Sequence, residues 1–585
     1  MFFNDRRKAR DSRKVGVKAQ RRFNFLIISA GCATFLILGN FFYLHVFKKS
    51  EYESFLLSRR ISDSDPVSFR GEILFQDKDH KLFAAAVTKK APFLFSISKD
   101  IPDAEAYAEV LTDIVGVDQD ELFSRLSKHD DPYELLKRKL TDAEVEKVKD
   151  LALEGVIIGQ EERRYYPLGS IGAQILGFVS YDASSQGQYG VEQYFQEVLK
   201  GKNISVPSRS FTSYFFPQRS KTSIILTIDP KVQNFVERSM DAVREQWNAD
   251  SAFFVVMDPQ TGKVIAMGGS PSFDPNQFHE VSDLRVFLNP IIASVFEVGS
   301  VMKSLTMSSA LDKGAVSPQT TYYDRGKVQV GSKVIENFDA KERGVQTMGQ
   351  VLEQSLNTGS IFAMQKLGKE NFYSYLKNFG LDEKTGIELP GEVSGSLEGI
   401  SDPRREVEFA TASFGSGISV TPLAFTRALA VLANGGKLMK PYVVDRVIED
   451  GKVISKTEPQ VVRQVISPQT SQTITKMLSD VVEHTLAGGK VRMSGYTIAA
   501  KTGTAQLPLS DGKGYSSDFT HTFFGYFPAT RPRAVIFLGL IRPHGIRYAS
   551  QSLSPVFVDI TKFMLNYYDI PPDNFPVANS DAASL

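Results

Sequence analysis

The chain has 585 residues, a formal net charge of +1, 23% charged and 42% hydrophobic residues, and a single cysteine. So balanced a charge excludes a global pull toward nucleic acid or acidic substrates, and one cysteine excludes an internal disulfide or a thiolate metal cluster. By a crude length rule the chain holds roughly four domain units, and the long uninterrupted motif order favours fewer, larger pieces.

Basic residues are concentrated at the start. Residues 1–22 carry nine Lys or Arg side chains against Asp5 and Asp11, a tail with a strong sign bias. Phe25 to Phe47 is nearly free of charge, and its length matches a helix crossing a hydrocarbon core of about 30 Å. Arg21-Arg22 and Lys48-Lys49 bound it, and the more basic tail predicts a cytoplasmic N-terminus with the rest of the chain outside. No small-residue cleavage site precedes Lys48, so the segment reads as a retained single-pass anchor over residues 23–47 rather than a cleaved signal. Cys32, after Ser29-Ala-Gly31, lacks the leucine and the preceding apolar stretch of a lipidation site.

From Ser50 to about Lys200, strand-like pieces alternate with polar helices. Two helices are predicted over Asp103 to Val115 and Thr141 to Glu154, the second opening on a Thr-x-x-Glu capping box. Nothing there has catalytic chemistry, and Arg163-Arg-Tyr-Tyr-Pro167 reads as an arginine-aromatic packing joint. Gly201 to Ser220 is a polar link. After it, Thr222 to Ile228 is predicted as a strand, Asp229 to Trp247 as a helix, and Ala252 to Met257 with Val264 to Met267 as strands joined by a Thr-Gly turn. A hairpin is expected at Asp450-Gly451. Strands over Thr522 to Phe527 and Ala534 to Leu540 and a helix from Ser554 to Tyr568 complete a sheet between helices, and residues after Pro571 read as a polar tail.

Three short strings carry the chemistry: Ser300-Val-Met-Lys303, Ser355-Leu-Asn357 and Lys501-Thr-Gly-Thr504. Three residues apart on a helix, Ser300 and Lys303 stack on one face, so the amine can take the hydroxyl proton. Glu297-Val-Gly299 breaks the chain before an apolar run ending near Gly314, which places Ser300 at a helix N-terminus, where amide donors favour negative charge. A lysine at its ordinary pKa is protonated and useless as a base; bringing it near neutrality costs about 4 kcal/mol, supplied by burial or a second cation, for which Lys501 is the candidate. Ser355 offers a hydroxyl relay and Asn357 an amide for a substrate peptide, with Leu356 turned into the protein. Lys501 follows the apolar run Tyr496 to Ala500, which reads as a strand, and Gly503 is expected to leave room for an extended peptide beside it. Ser96-Ile-Ser-Lys99 and Lys384-Thr-Gly386 fit parts of the same patterns without the long helix or the apolar strand, and read as structural.

Together the three strings are those of penicillin-binding proteins and β-lactamases. The chain resembles a class B penicillin-binding protein, a monofunctional peptidoglycan D,D-transpeptidase, from about residue 20 to 570. The resemblance extends to Arg70-Gly-Glu-Ile73, Arg163-Arg-Tyr-Tyr-Pro167, Gly190-Val-Glu192, Asp258-Pro-Gln-Thr-Gly262, Ser272-Phe-Asp-Pro-Asn276, Leu389-Pro-Gly-Glu392 and Ser413-Phe-Gly-Ser-Gly417. Val298, Val301, Ser304 and Ala424 stand where the family usually has proline, threonine, proline and glutamine, and none of these removes a reacting group. The resemblance implies an α+β fold: an elongated mixed pedestal, or dimerisation-like domain, over residues 48–220, then a penicillin-binding, β-lactamase-like transpeptidase domain over 221–570 and a tail over 571–585.

It also implies roles. Ser300 is the nucleophile, Lys303 the base, Ser355 the proton shuttle and Asn357 a holder of the donor peptide. Lys501, Thr502 and Thr504 receive a terminal carboxylate, Gly503 lies between them, and the amides of Ser300 and Thr504 form an oxyanion hole. No cofactor or metal enters. The implied ligands are peptidoglycan stem peptides and β-lactams, and the implied partners are a membrane-embedded glycan polymerase and division proteins. The short run from Asn276 to Ser300 favours a division-type over an elongation-type member. A membrane-anchored β-lactamase or β-lactam sensor, and a catalytically silent division scaffold, are the competing readings. A Ser-His-Asp site would use His521, yet no Gly-x-Ser-x-Gly elbow accompanies it, and no His-Glu-x-x-His supplies a zinc site.

Overall fold

The computed structural model describes residues 5–46, 70–128, 133–180, 185–201, 221–509 and 514–574. The link predicted over Gly201 to Ser220 lies outside them apart from Gly201, as do Phe47 to Lys49 at the end of the anchor and the last part of the predicted tail. Asp5–Val46 is one helix. Within it Arg21–Tyr43, 23 residues, is long and apolar enough to cross a membrane by length and composition.

Beyond that helix the chain forms two compact units, one built from residues 89–163 and the other from 69–88 and 164 onward. In the first, helices Ala104–Val115, Gln119–Leu126 and Asp142–Leu151 pack Leu111, Leu122 and Val148 with Leu94 and Leu136 of the strands into a small core. Their ends follow local chemistry. The Asp103 side chain caps the amides of Glu105 and Ala106, the first helix closes at Gly116 with φ of 63°, and Thr141 and Glu144 form the expected capping box. Ser96 ends a strand and Lys99 sits in a single tight turn, so this serine-lysine pair opens no long helix.

In the second unit, Arg70, Arg164 and Tyr166 converge on Glu192, which is fully buried. Arg70 and Arg164 each approach one carboxylate oxygen at 2.6 Å, and Arg164 also donates to Gly71 O at 2.7 Å. Three of the sequence strings that carry the resemblance therefore meet in one buried ionic knot. The packing joint expected at Arg164 is thus electrostatic, the aromatic ring of Tyr166 contributing its hydroxyl. Strand Thr222–Leu226 pairs with Glu72–Gln76 on one side and Val444–Glu449 on the other, and the predicted hairpin turns at Asp450-Gly451, both with positive φ.

The site rests on a five-stranded antiparallel sheet in the order Ala499–Pro508, Tyr515–Phe527, Ala534–Ile541, Ser251–Met257, Val264–Ser270. Alternate residues face opposite layers. Phe523 stacks on Phe557 of the C-terminal helix at 4.5 Å, whereas the Tyr526 hydroxyl reaches Thr475 of helix Pro468–His484 at 2.7 Å. Helices Pro230–Gln246 and Ala549–Tyr567 cover one face; Met302–Asp312, Pro422–Ala433 and Pro468–His484 pack together on the other. This is the expected sheet between helices. Two boundaries differ in ways that bear on the site: the strand expected over Tyr496 to Ala500 runs instead over Ala499–Pro508, so Lys501 lies within it, and the last helix opens at Ala549, not Ser554, and carries Pro555 inside it. A start at Ser554 would set that proline in the first turn, where its missing N–H costs least.

Candidate active site

Ser300 lies in a tight turn, Gly299–Val301, that runs directly into helix Met302–Asp312. Met302 to Ala310 are buried on all sides, as suits a central helix rather than an amphipathic one. The turn is held from two directions. Gly299 N donates to Gly415 O at 3.2 Å, and Thr522 Oγ1 donates to Val298 O at 3.1 Å. Gly299 has φ of 62°, and a Cβ there would stand 3.1 Å from Ala505 Cβ, so the turn lies directly against the strand bearing Lys501.

Ser355 is the meeting point. Lys303 Nζ donates to Ser355 O at 2.6 Å and to its Oγ at 3.2 Å, while Lys501 Nζ reaches the same Oγ at 3.0 Å and Thr502 O at 3.1 Å. Ser355 itself has φ of 55°, an uncommon conformation for a residue with a side chain, found where surrounding structure enforces it. Leu356 is fully buried, as expected, and Asn357 opens the next helix, its Nδ2 donating to Glu336 O at 2.9 Å. Among the described residues Ser300 Oγ makes no hydrogen bond; helix geometry sets it one turn from Lys303.

Both lysines are almost wholly buried, 1% and 2% exposed. Burial, and secondarily the charge of Lys501, holds the Lys303 amine well below its ordinary range. Burial alone brings Lys501 to about 7. Neither has a carboxylate partner in an ion pair among the described residues, so nothing nearby restores the charged form.

Thr502 and Thr504 are half-exposed on the free edge of the sheet, and Thr504 Oγ1 accepts from Ala549 N at 3.2 Å. Gly503 faces the other way. A Cβ on it would lie 2.3 Å from Thr522 Oγ1 and 2.8 Å from Val298 O. The room expected beside Gly503 for a substrate is thus filled by the Ser300 turn, and the glycine permits that close approach. Lys384-Thr-Gly386 is a loop fastened by Glu392, away from these groups. His521 sits opposite Thr504 on the neighbouring strand, fully buried, its ring bonded to Ser552 Oγ at 2.8 Å and Arg547 O at 3.1 Å. Burial pulls its pKa down to about 4, and it serves as packing.

Sequence reasoning missed the supports. Asp324 is fully buried and accepts from Gly326 N, Asn337 Nδ2 and Thr358 Oγ1 at 2.8–3.0 Å, while Asn337 Oδ1 takes the Thr358 amide at 3.2 Å. This caps from outside a helix whose own preceding residue, Leu356, cannot. Ser413 O accepts from Thr306 Oγ1 at 2.8 Å and Ser360 Oγ at 2.6 Å, tying the Ser300 helix to the Asn357 helix. Among the described residues no group of three or more His, Cys, Asp or Glu is placed to hold a metal.

Residues 252–562 match the penicillin binding protein transpeptidase domain, and residues 67–206 the penicillin-binding protein dimerisation domain. The chain belongs to the penicillin-binding protein family. Its relatives include stage V sporulation protein D of Bacillus subtilis, 29% identical over 92% of this chain and 85% of that protein. Penicillin-binding protein PbpB of Mycolicibacterium smegmatis is 31% identical over 82% of this chain and 78% of its own length. The peptidoglycan D,D-transpeptidase FtsI of Escherichia coli is 28% identical over 86% and 84%. Among solved structures, penicillin binding protein 3 of Mycobacterium tuberculosis in complex with aztreonam is similar with a TM-score of 0.67 and 26% identity, covering 86% of this chain and 97% of that one. The resemblance read from the three strings therefore holds across both expected parts of this penicillin-binding protein.

Proposed function

We propose that this penicillin-binding protein is a serine D,D-transpeptidase that cross-links peptidoglycan stem peptides in septal wall synthesis. One observation carries the assignment of roles: two buried lysines from separate elements, Lys501 and the Lys303 that lies one turn from Ser300, converge on the hydroxyl of Ser355. A neutral Lys303 takes the Ser300 proton as Oγ attacks the carbonyl between two terminal D-alanines. Ser355 passes the proton to the leaving amine, D-alanine departs, and an amine of a second stem attacks the ester, restoring Ser300. Asn357 orients the donor peptide, and Lys501, Thr502 and Thr504 take its carboxylate. The amides of Ser300 and Thr504 stabilise the oxyanion, each donor contributing about 3 kcal/mol by analogy with other acyl-transfer sites.

The domain plan that accompanies this reading is an anchor over 23–47, a pedestal over 48–220 and a transpeptidase domain over 221–570. The basic tail supports a cytoplasmic N-terminus and an extracytoplasmic site. Glycan strands would come from a membrane-embedded polymerase acting as partner, with further division proteins around it.

The test is a fluorescent penicillin added to the full chain and to Ser300→Ala, following both the appearance and the lifetime of the adduct. A long-lived adduct that requires Ser300 is expected. Rapid loss of the adduct points to a β-lactamase, and its complete absence to a silent scaffold.

A further inference from the structure

A cavity in the second unit lies away from Ser300, at the end of the five-stranded sheet where two hairpin turns emerge. Its volume is about 1300 Å³. That exceeds the roughly 300–1,000 Å³ typical of small-molecule pockets and suits a length of extended chain. One wall is helix Pro468–His484; the other is formed by the turn before Val264 and the turn joining Phe527 to Ala534.

The lining carries four aspartates and four cations, which differ in how they are held. All four aspartates are engaged within the protein, Asp480 and Asp569 in ion pairs and Asp258 and Asp573 with neutral donors. Asp258 accepts from Gln260 N at 2.8 Å and Thr261 Oγ1 at 2.8 Å, and Asp480 pairs with Lys476. Asp569 pairs with Lys78, and Asp573 accepts from Thr497 N at 2.8 Å and Thr530 Oγ1 at 2.6 Å. Three cations on the same rim, Lys263, Arg531 and Arg533, have no ion pair among the described residues. Arg531 and Arg533 flank the buried Pro532 and are both exposed. Beneath this rim the floor is mostly apolar, with Ile265, Met564 and Ile570 among its residues.

We propose that this cavity binds an extended acidic peptide with interspersed apolar side chains, presented by a partner protein. Carboxylates would meet Lys263, Arg531 and Arg533, and apolar side chains would cover the floor. A purely charged polymer would use only the rim, leaving the apolar floor wet, which is why a peptide is favoured. The site is independent of the Ser300 chemistry and stands whether or not that reading holds.

The probe is a fluorescein-labelled peptide alternating glutamate and leucine, titrated with the full chain in detergent and read by fluorescence anisotropy. Binding is expected to weaken about tenfold, roughly 1.4 kcal/mol, in the triple variant Lys263→Ala, Arg531→Ala, Arg533→Ala. It should weaken comparably when serine replaces leucine in the peptide, and at about 1 M salt, where screening contracts to roughly 3 Å. Fluorescent-penicillin labelling reports that the variant is folded, and the salt and serine-peptide arms need no variant at all. Equal binding by the triple variant, equal binding of a lysine-leucine peptide, or displacement by polyphosphate with no loss on removing leucine would overturn the proposal.

Discussion

Gly503→Ala separates two uses of the glycine. The added Cβ would stand 2.8 Å from Val298 O, a backbone atom, and 2.3 Å from Thr522 Oγ1. Rotating the threonine relieves the second contact only by giving up its 3.1 Å hydrogen bond to Val298 O. Restoring ordinary contact with the carbonyl requires the strand and the Ser300 turn to part by about 0.6 Å, since ordinary van der Waals contact begins near 3.4 Å. Overpacking of this kind costs about 1–3 kcal/mol of stability. More important, it moves the Thr504 amide relative to Ser300, and displacements approaching 1 Å cost on the order of 100-fold in rate. Stopped-flow acylation by a penicillin should therefore show the acylation rate constant falling about 10- to 100-fold while the preceding binding constant changes little. If instead binding weakens and the rate constant stays within about twofold, Gly503 serves to admit the ligand and the packing argument fails.

Burial brings Lys501 to about 7, so its charge is lost as pH rises through neutrality and capture of a penicillin carboxylate should weaken, visible as a rising dissociation constant, with Lys501→Gln flat across the same range. Lys303, whose depressed pKa leaves it neutral well below the usual lysine range, should keep the acylation rate constant high on the alkaline side of that titration. Asp324→Asn places an amide against donors it must accept from, and should cost about 1–3 kcal/mol in thermal unfolding and slow acylation about tenfold. Glu192→Gln leaves two buried arginines without their counter-charge and should cost about 3–5 kcal/mol, with acylation per folded molecule unchanged when folded protein is counted by active-site titration.

What the sequence disclosed was local. Caps and turns located the helices that open after Asp229 and Thr141 and the hairpin at Asp450-Gly451, because these residues act on their immediate neighbours, whereas helices Pro422–Ala433 and Pro468–His484 were not singled out. The groups proposed to react were legible because their chemistry is tied to short fixed spacings. What stayed hidden depends on contacts between distant segments. Asp324, Asn337 and Thr358 form one support only after folding, and no spacing relates them. Gly503 looked like a substrate clearance because a strand pattern shows that a side chain is missing, not which face it is missing from. Arg164 looked like a partner for aromatic rings because Glu192 and Arg70 stand far away in the chain.

The shared acceptor Ser413 O gives the site a common reference point. The helix that carries Lys303 and the helix that begins at Asn357 each hydrogen-bond to this one oxygen. A disturbance that shifts the loop bearing Ser413 displaces both helices together, a common-mode motion that preserves the spacing between Lys303 and the segment that leads from Ser355 into the second helix. Sequence drift on the outside of the domain is thereby filtered before it reaches the reacting atoms, whereas loss of either hydroxyl, at Thr306 or Ser360, unlocks one helix from the other and turns the same drift into misalignment.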